Sequence, residues 1–342
     1  MVFKLMGQIM KIRIIKYMLI IICLLNPHAF SQALKLIGPP GGFVEQIAVH
    51  PQFTNIVYSS TVYAGAIFRS ADGGNTVNPL DAGFKDFFVT QIALPYNEKD
   101  YVYIDLSGIS IMSSNAGKDW ELILNSNYEP HFTFNPLNSD IMYMTRDNES
   151  LWRSNDKGKT WFEIKSFPQI LDFVAVAPTD TGLIYAVANN SFYKSTDSGK
   201  EWIKTFDGGD SIYFSTRKMV VNPQNKNSVY VKSGGWLFKT IDGGKSFKKL
   251  ISANNFSSFA LNPIDTTIIY TTFGDRDFNP VGDILKSVNN GETWNSITNG
   301  IPEGIITATA IEINPQNTEE LYVGVGGLGA VSYTHLRAHE TV

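Results

Sequence analysis

A turn motif of the form S-x-D-x-G-x-T-W recurs six times in this chain and restricts its fold more than any other feature. Its copies begin at Ser70 (SADGGNTV), Ser113 (SSNAGKDW), Ser154 (SNDKGKTW), Ser195 (STDSGKEW), Thr240 (TIDGGKSF) and Ser287 (SVNNGETW). The starts lie 43, 41, 41, 45 and 47 residues apart, a period that suits one four-stranded unit. A second marker keeps the same beat. A proline is followed seven or eight residues later by a tyrosine, from Pro51/Tyr58 through Pro95/Tyr103, Pro136/Tyr143, Pro178/Tyr185, Pro223/Tyr230 and Pro263/Tyr270 to Pro315/Tyr322. Two independent markers in one register describe a tandem repeat of six full units and the start of a seventh.

The chemistry of the box explains its recurrence. Asp and Ser side chains accept hydrogen bonds from backbone N–H groups two or three residues on and so close a tight turn. The glycine supplies a position that takes positive φ without a Cβ clash, and the terminal Trp or Phe carries apolar bulk inward. Asp72, Asp156, Asp197 and Asp242 are therefore read as structural. Asn115 and Asn289 replace the acid in two boxes, keeping the acceptor oxygen and losing the charge, an exchange that a turn tolerates and a general acid does not.

Apolar alternation between the boxes predicts four short strands per unit. In the third unit these are His131–Phe134, Ile141–Thr145, Leu151–Ser154 and Thr160–Lys165. The first unit opens with Phe43–Val49, and the seventh offers Ile305–Ile313 and Leu321–Val325 before the pattern stops. The expected fold is all-β, a β-propeller of four-stranded antiparallel blades with six complete blades and a partial seventh.

These boxes, with Pro…Tyr between them, resemble the Asp-box (BNR) repeats of secreted β-propellers, a group that includes sialidases, xyloglucan-hydrolysing glycosidases, sortilin-type receptors and photosystem assembly factors. The resemblance covers about residues 36–330 and implies the fold far more than the function, since one architecture hosts many activities. The stretch GGFVEQIAVHPQFTNIVYSSTVYAGAIFRS is similar to the opening of the xyloglucan hydrolases. That resemblance implies a catalytic Asp in the first B–C turn, just before the Gly-Ala-aromatic-Arg segment, and a second acid in a later propeller. Here the turn holds Val62 and Tyr63, and no acid lies between Glu45 and Asp72. The Arg-Ile-Pro type signature of sialidases is also absent.

The two ends read differently from the repeats. Residues 1–31 read as a secretory signal: Lys11, Arg13 and Lys16 precede the apolar run Tyr17–Leu25, and Ala29-Phe30-Ser31 places small residues for cleavage before Gln32. The apolar run is too short to span a bilayer. Residues 32–330 are assigned to the propeller, truncated at its C-terminal end, and residues 331–342 to a non-native tail. The expected location is secreted or in the cell envelope. Removing residues 1–31 leaves 24 cations against 32 acids, which argues against nucleic acid as a partner. It also removes Cys23, the only cysteine, and with it disulfides, thiol nucleophiles and thiolate metal sites. No metal or cofactor is expected.

In a propeller of this strand order the boxes lie on one face, while the B–C and D–A loops surround the channel mouth on the other, where ligands collect. Arg69 and Arg153 directly precede a box and belong to the repeat. Arg146, Arg217 and Arg276 do not, and three arginines around a mouth can hold a carboxylate by charge-assisted bonds. Asp147 and Glu149 occupy the third B–C turn, and Asp275 and Asp277 open an enlarged sixth one. Paired carboxylates suit glycoside hydrolysis, and solvated turns favour the same residues. Trp236 and Tyr63 could stack on sugar rings. His50 stands where Asn135, Asn222, Asn262 and Asn314 stand in other units and reads as a turn residue. The expected function is non-catalytic: a glycan- or protein-binding or assembly module acting at the mouth. The alternative is a xyloglucanase- or sialidase-like glycoside hydrolase using Asp147, Glu149, Asp275 and Asp277.

Overall fold

A computed structural model describes residues 34–36, 43–62, 66–81, 83, 87–208, 216–253, 256–274, 282–298, 307–326 and 329–334. Among the described residues there is no helix, and the strands form seven four-stranded sheets whose neighbouring strands are antiparallel. Blade 3 shows the pattern. Its strands A to D are Phe132–Asn135, Asn138–Arg146, Ser150–Ser154 and Phe162–Ser166, in that order across the sheet. Each of the four strands predicted for this unit is found, with its ends moved by at most three residues.

The seventh blade is partial as a repeat. Only Ala308–Ile313 and Glu320–Val325 belong to the repeated pattern. Its sheet nevertheless reaches four strands, because Gly329–Thr334 adds beside Glu320–Val325 and Leu34–Leu36 adds beside that. The start of the propeller thus supplies the outermost strand of its last blade, with Leu34 opposite Tyr333 and Leu36 opposite Val331. A sheet edge that would otherwise stay unpaired is covered. The strand at Gly329–Thr334 extends into the segment read as a tail; residues 1–31 and 335–342 lie outside the described residues.

The box turns share one hydrogen-bond plan. In blade 3, Ser154 Oγ donates to Asp156 Oδ1 at 2.7 Å and accepts from Gly158 N at 2.9 Å. Asp156 in turn accepts from Thr160 N at 2.9 Å and from Thr160 Oγ1 at 2.5 Å. The asparagine boxes keep the Oδ1 contacts and reverse the last bond. Asn115 Nδ2 donates to Asp119 Oδ2 at 2.7 Å, and Asn289 Nδ2 donates to Thr293 Oγ1 at 2.8 Å. The amide thus needs only an acceptor at that place, which the Asp119 carboxylate supplies in one box and the Thr293 hydroxyl in the other. His50 does the work of the asparagines at its turn: its Nδ1 accepts from Gln52 N and Phe53 N, as Asn135 Oδ1 accepts from Leu137 N and Asn138 N.

The two sequence markers keep one register because they meet across blade boundaries. Tyr103 of blade 2 donates its hydroxyl to Lys157 O, inside the box of blade 3, at 2.9 Å. In blade 4, Tyr185 donates to Lys226 O of blade 5, and a Cβ on Gly243 in that blade's box would lie 3.5 Å from the same hydroxyl. At ring closure Tyr322 of blade 7 stands against Gly73 in the first box. All seven tyrosines are among the most buried side chains of the protein, so every joint carries a large apolar contact, to which Tyr103 and Tyr185 add a hydrogen bond.

Candidate functional site

Opposite the boxes, the B–C turns and the segments after each strand D make the mouth. These are tied together by the backbone: Ser126 N donates to Gly108 O, Phe167 N to Glu149 O, Gly208 N to Asn190 O and Ala253 N to Gly235 O, at 2.8–2.9 Å. The blade 3 turn is tight, with Asp147 and Asn148 both left-handed at φ 55° and 65°. Asx residues tolerate that conformation better than other non-glycine residues, so the backbone alone accounts for their presence.

The structure separates most of the residues singled out in the sequence. Arg146 and Asp147 come together, with Nε 3.1 Å from Oδ2, and the Arg146 guanidinium lies 4.6 Å from the Trp152 ring centroid. This arginine is thus held by its own blade. Asp147 and Glu149 are both exposed on the same turn. Trp236 opens strand C of blade 5 (Trp236–Thr240) and is exposed, on the third strand out from the channel. Arg217 is the second residue of that blade's innermost strand, Thr216–Val221; its side chain, together with Tyr63, Asp275, Arg276 and Asp277, lies outside the described residues. In the first B–C turn, where the resemblance places an acid, Val62 is buried and its N–H donates to Phe43 O at 2.8 Å.

The composition of the loops gives no sign of Asp105, which lies in a strand. It sits at the mouth end of strand B of blade 2 (Val102–Leu106) and is fully buried. Ser110 Oγ donates to its Oδ1 at 2.9 Å, Gly108 N lies 3.3 Å from both carboxylate oxygens, and Thr90 Oγ1 donates to Oδ2. Burial pushes its pKa up to about 6 against the pull of these bonds, and the charge of Glu129 adds to the rise. The signal for it was in the repeat: two residues after each strand-B tyrosine stand Ser60, Asp105, Thr145, Val187, Lys232, Thr272 and Gly324. Only Asp105 and Lys232 are charged there. A strut inside the ring was equally unread, since Lys218 on the innermost strand of blade 5 meets Glu312 on that of blade 7 at 2.5 Å, passing over Phe259 of blade 6.

No family model matches the chain. In sequence it is similar to a xyloglucanase of Hypocrea jecorina, 27% identical across 88% of this chain and 36% of that protein. The chain therefore spans about a third of the length of that relative. In structure it is similar to the GH74 xyloglucanase of Xanthomonas campestris, with a TM-score of 0.68 at 17% identity over 88% of this chain and 53% of the other. It is also similar to YCF48 of Cyanidioschyzon merolae, at 0.63 and 14% identity over 88% and 98%. The fold is the β-propeller these proteins share. Among the described residues no helix is long and apolar enough to cross a membrane.

Proposed function

We propose that this chain is a glycan-directed propeller of the xyloglucanase kind, engaging a xyloglucan-type polysaccharide across its mouth face as one propeller of an exported glycoside hydrolase. The observation that carries this reading is the similarity to a xyloglucanase over 88% of the chain. It replaces the non-catalytic module as the first reading. In this proposal the exposed turn carboxylates Asp147 and Glu149 and the ring of Trp236 face the polysaccharide from the same face of the ring as Asp105. The test is native electrophoresis through gels containing xyloglucan, followed by a time course of reducing-end release. Retardation with release supports the proposal; neither retardation nor release, from a chain whose melting curve shows it folded, sinks it.

A second reading, non-catalytic glycan binding, is favoured by one observation. Val62 places a buried apolar side chain where the resemblance requires a carboxylate. Retardation without any release of reducing ends is its expected result. A protein ligand, as for an assembly factor, has similarity of fold alone behind it.

A further inference from the structure

Charge is distributed unevenly around the ring. Residues 216–253, which build blade 5, carry eight lysines or arginines and one acid, Asp242, whereas in none of the other six blades do cations outnumber acids. Part of that excess is neutralised by neighbours. Lys226 meets Asp180 of blade 4 at 2.8 Å, Lys248 meets Glu292 of blade 6 at 2.6 Å, and Lys218 meets Glu312 of blade 7. On the box side, Lys239 packs over the Tyr230 ring and Lys245 belongs to the box turn.

Two further cations converge on the mouth end of strand C. Lys249 holds its ammonium 4.1 Å from the ring centroid of Trp236. The Lys232 ammonium lies 3.3 Å from Gly234 O, in the turn just before that tryptophan. Trp236 is 40% exposed and lines a shallow pocket with Gly235, Ser252 and Ala253. It departs from the repeat, because strand C begins with Ile67, Ile109, Ser150, Ser191 and Asp283 in the other boxed blades. An exposed indole offers a face to the C–H groups of a pyranose. Ammonium groups beside it add nothing essential for a neutral sugar but bind a carboxylate by charge-assisted hydrogen bonds.

We infer that the mouth end of blade 5 is a subsite for a carboxylate-bearing sugar, a uronic acid residue of a polysaccharide. Trp236 stacks on its ring and Lys249 takes its carboxylate, with Lys232 adding positive field from beneath the turn. The glycan half of this inference rests on the proposed function above; the charge half does not. The net charge of −4 for the whole chain opposes general anion binding, so the attraction has to be local.

Calorimetry on the full chain with an oligogalacturonate, set against a neutral xyloglucan oligosaccharide, tests it. The expected result is oligogalacturonate binding that weakens as sodium chloride is raised. Trp236→Ala and Lys249→Gln should each weaken it by roughly tenfold, Lys249→Arg should restore it, and Lys245→Gln on the box face should leave it unchanged. Wild-type affinity in the Trp236→Ala and Lys249→Gln proteins overturns the inference. So does an equal loss in Lys245→Gln, which would mark a diffuse field, and so does the absence of oligogalacturonate binding. If oligogalacturonate binding is absent while the xyloglucan oligosaccharide still binds, the broader proposal survives and this subsite does not. If only oligogalacturonate binds, the broader proposal fails and the subsite stands.

Discussion

Asp156 in a box turn and Asp105 at the mouth end of a strand belong to adjacent blades, yet the first carboxyl is held down to about 2 and the second is pushed up to about 6. Asp156 is only partly buried, and the Thr160 hydroxyl and backbone N–H donate to it, which stabilises the anion. Asp105 also receives hydrogen bonds but has lost its water, and burial outweighs them. The same side chain is thus a cheap anchor on one face and a costly one on the other. The comparison teaches that the faces were built under different demands: the box face repeats one solution six times, whereas the mouth face departs from it blade by blade.

Glycine substitutions should show the largest contrast. On the box face Gly244 has φ +89°, and a Cβ there would sit 2.3 Å from Phe192 Cδ1; at the mouth Gly234 has φ +53° and open space around it. Gly244→Ala should cost on the order of 3 kcal/mol and Gly234→Ala about 1 kcal/mol, read as midpoints of urea unfolding. Equal losses would remove the distinction.

Next in size is Asp105→Asn. Because the folded pKa is raised, native Asp105 holds its proton more tightly than the unfolded chain does, so its contribution is most favourable below about pH 4 and is lost as pH rises through 6. A rise from 3.8 to about 6 corresponds to a cost on the order of 3 kcal/mol at neutral pH. The amide removes that cost, so the variant should melt higher than wild type at pH 7.5, and the two should converge at pH 4. A lower melting temperature at every pH would show that the carboxylate's hydrogen bonds outweigh its burial.

Ser154→Ala, which strands Gly158 N and removes a bond to Asp156, should cost about 1–2 kcal/mol in the same unfolding assay. The smallest effect is expected from Asp156→Asn, since two of the six boxes already work with an amide. Here the folded pKa is lowered to about 2, so the stabilisation is present above about pH 4 and fades as pH falls toward 2. The variant should match wild type at pH 7 and show a shallower loss of stability between pH 4 and 2.

These two faces also explain what could be read from the sequence. The repeated elements were readable because six copies state the same requirement: an acceptor, a left-handed glycine and an aromatic, with only the Asp119 exchange needing the structure to interpret it. The seventh blade was readable only in its two repeated strands, since Leu34–Leu36 joins it from the far end of the chain and leaves no periodic trace. At the mouth, loop composition drew attention to Asp147 and Glu149, whose turn geometry gives a sufficient reason for Asp and Asn there. Asp105 stayed hidden because it lies inside a strand, where a polar residue breaks the alternation without announcing its surroundings. Trp236 was visible as a residue, but its lysine neighbours came from Lys232 and Lys249, positions that are close only after three strands have paired.

The joint between Tyr103 and the box of the next blade has a consequence for how such a ring can change its size. Any segment copied from one box to the next carries one half of the joint at each end, a tyrosine facing forward and a turn facing back. A duplicated copy therefore fits between any two existing copies, and a deleted one leaves matching ends. Gain and loss of whole units is thus the inexpensive route of variation for this architecture, while a copy whose length departs from a whole unit would take a tyrosine out of step with the next box.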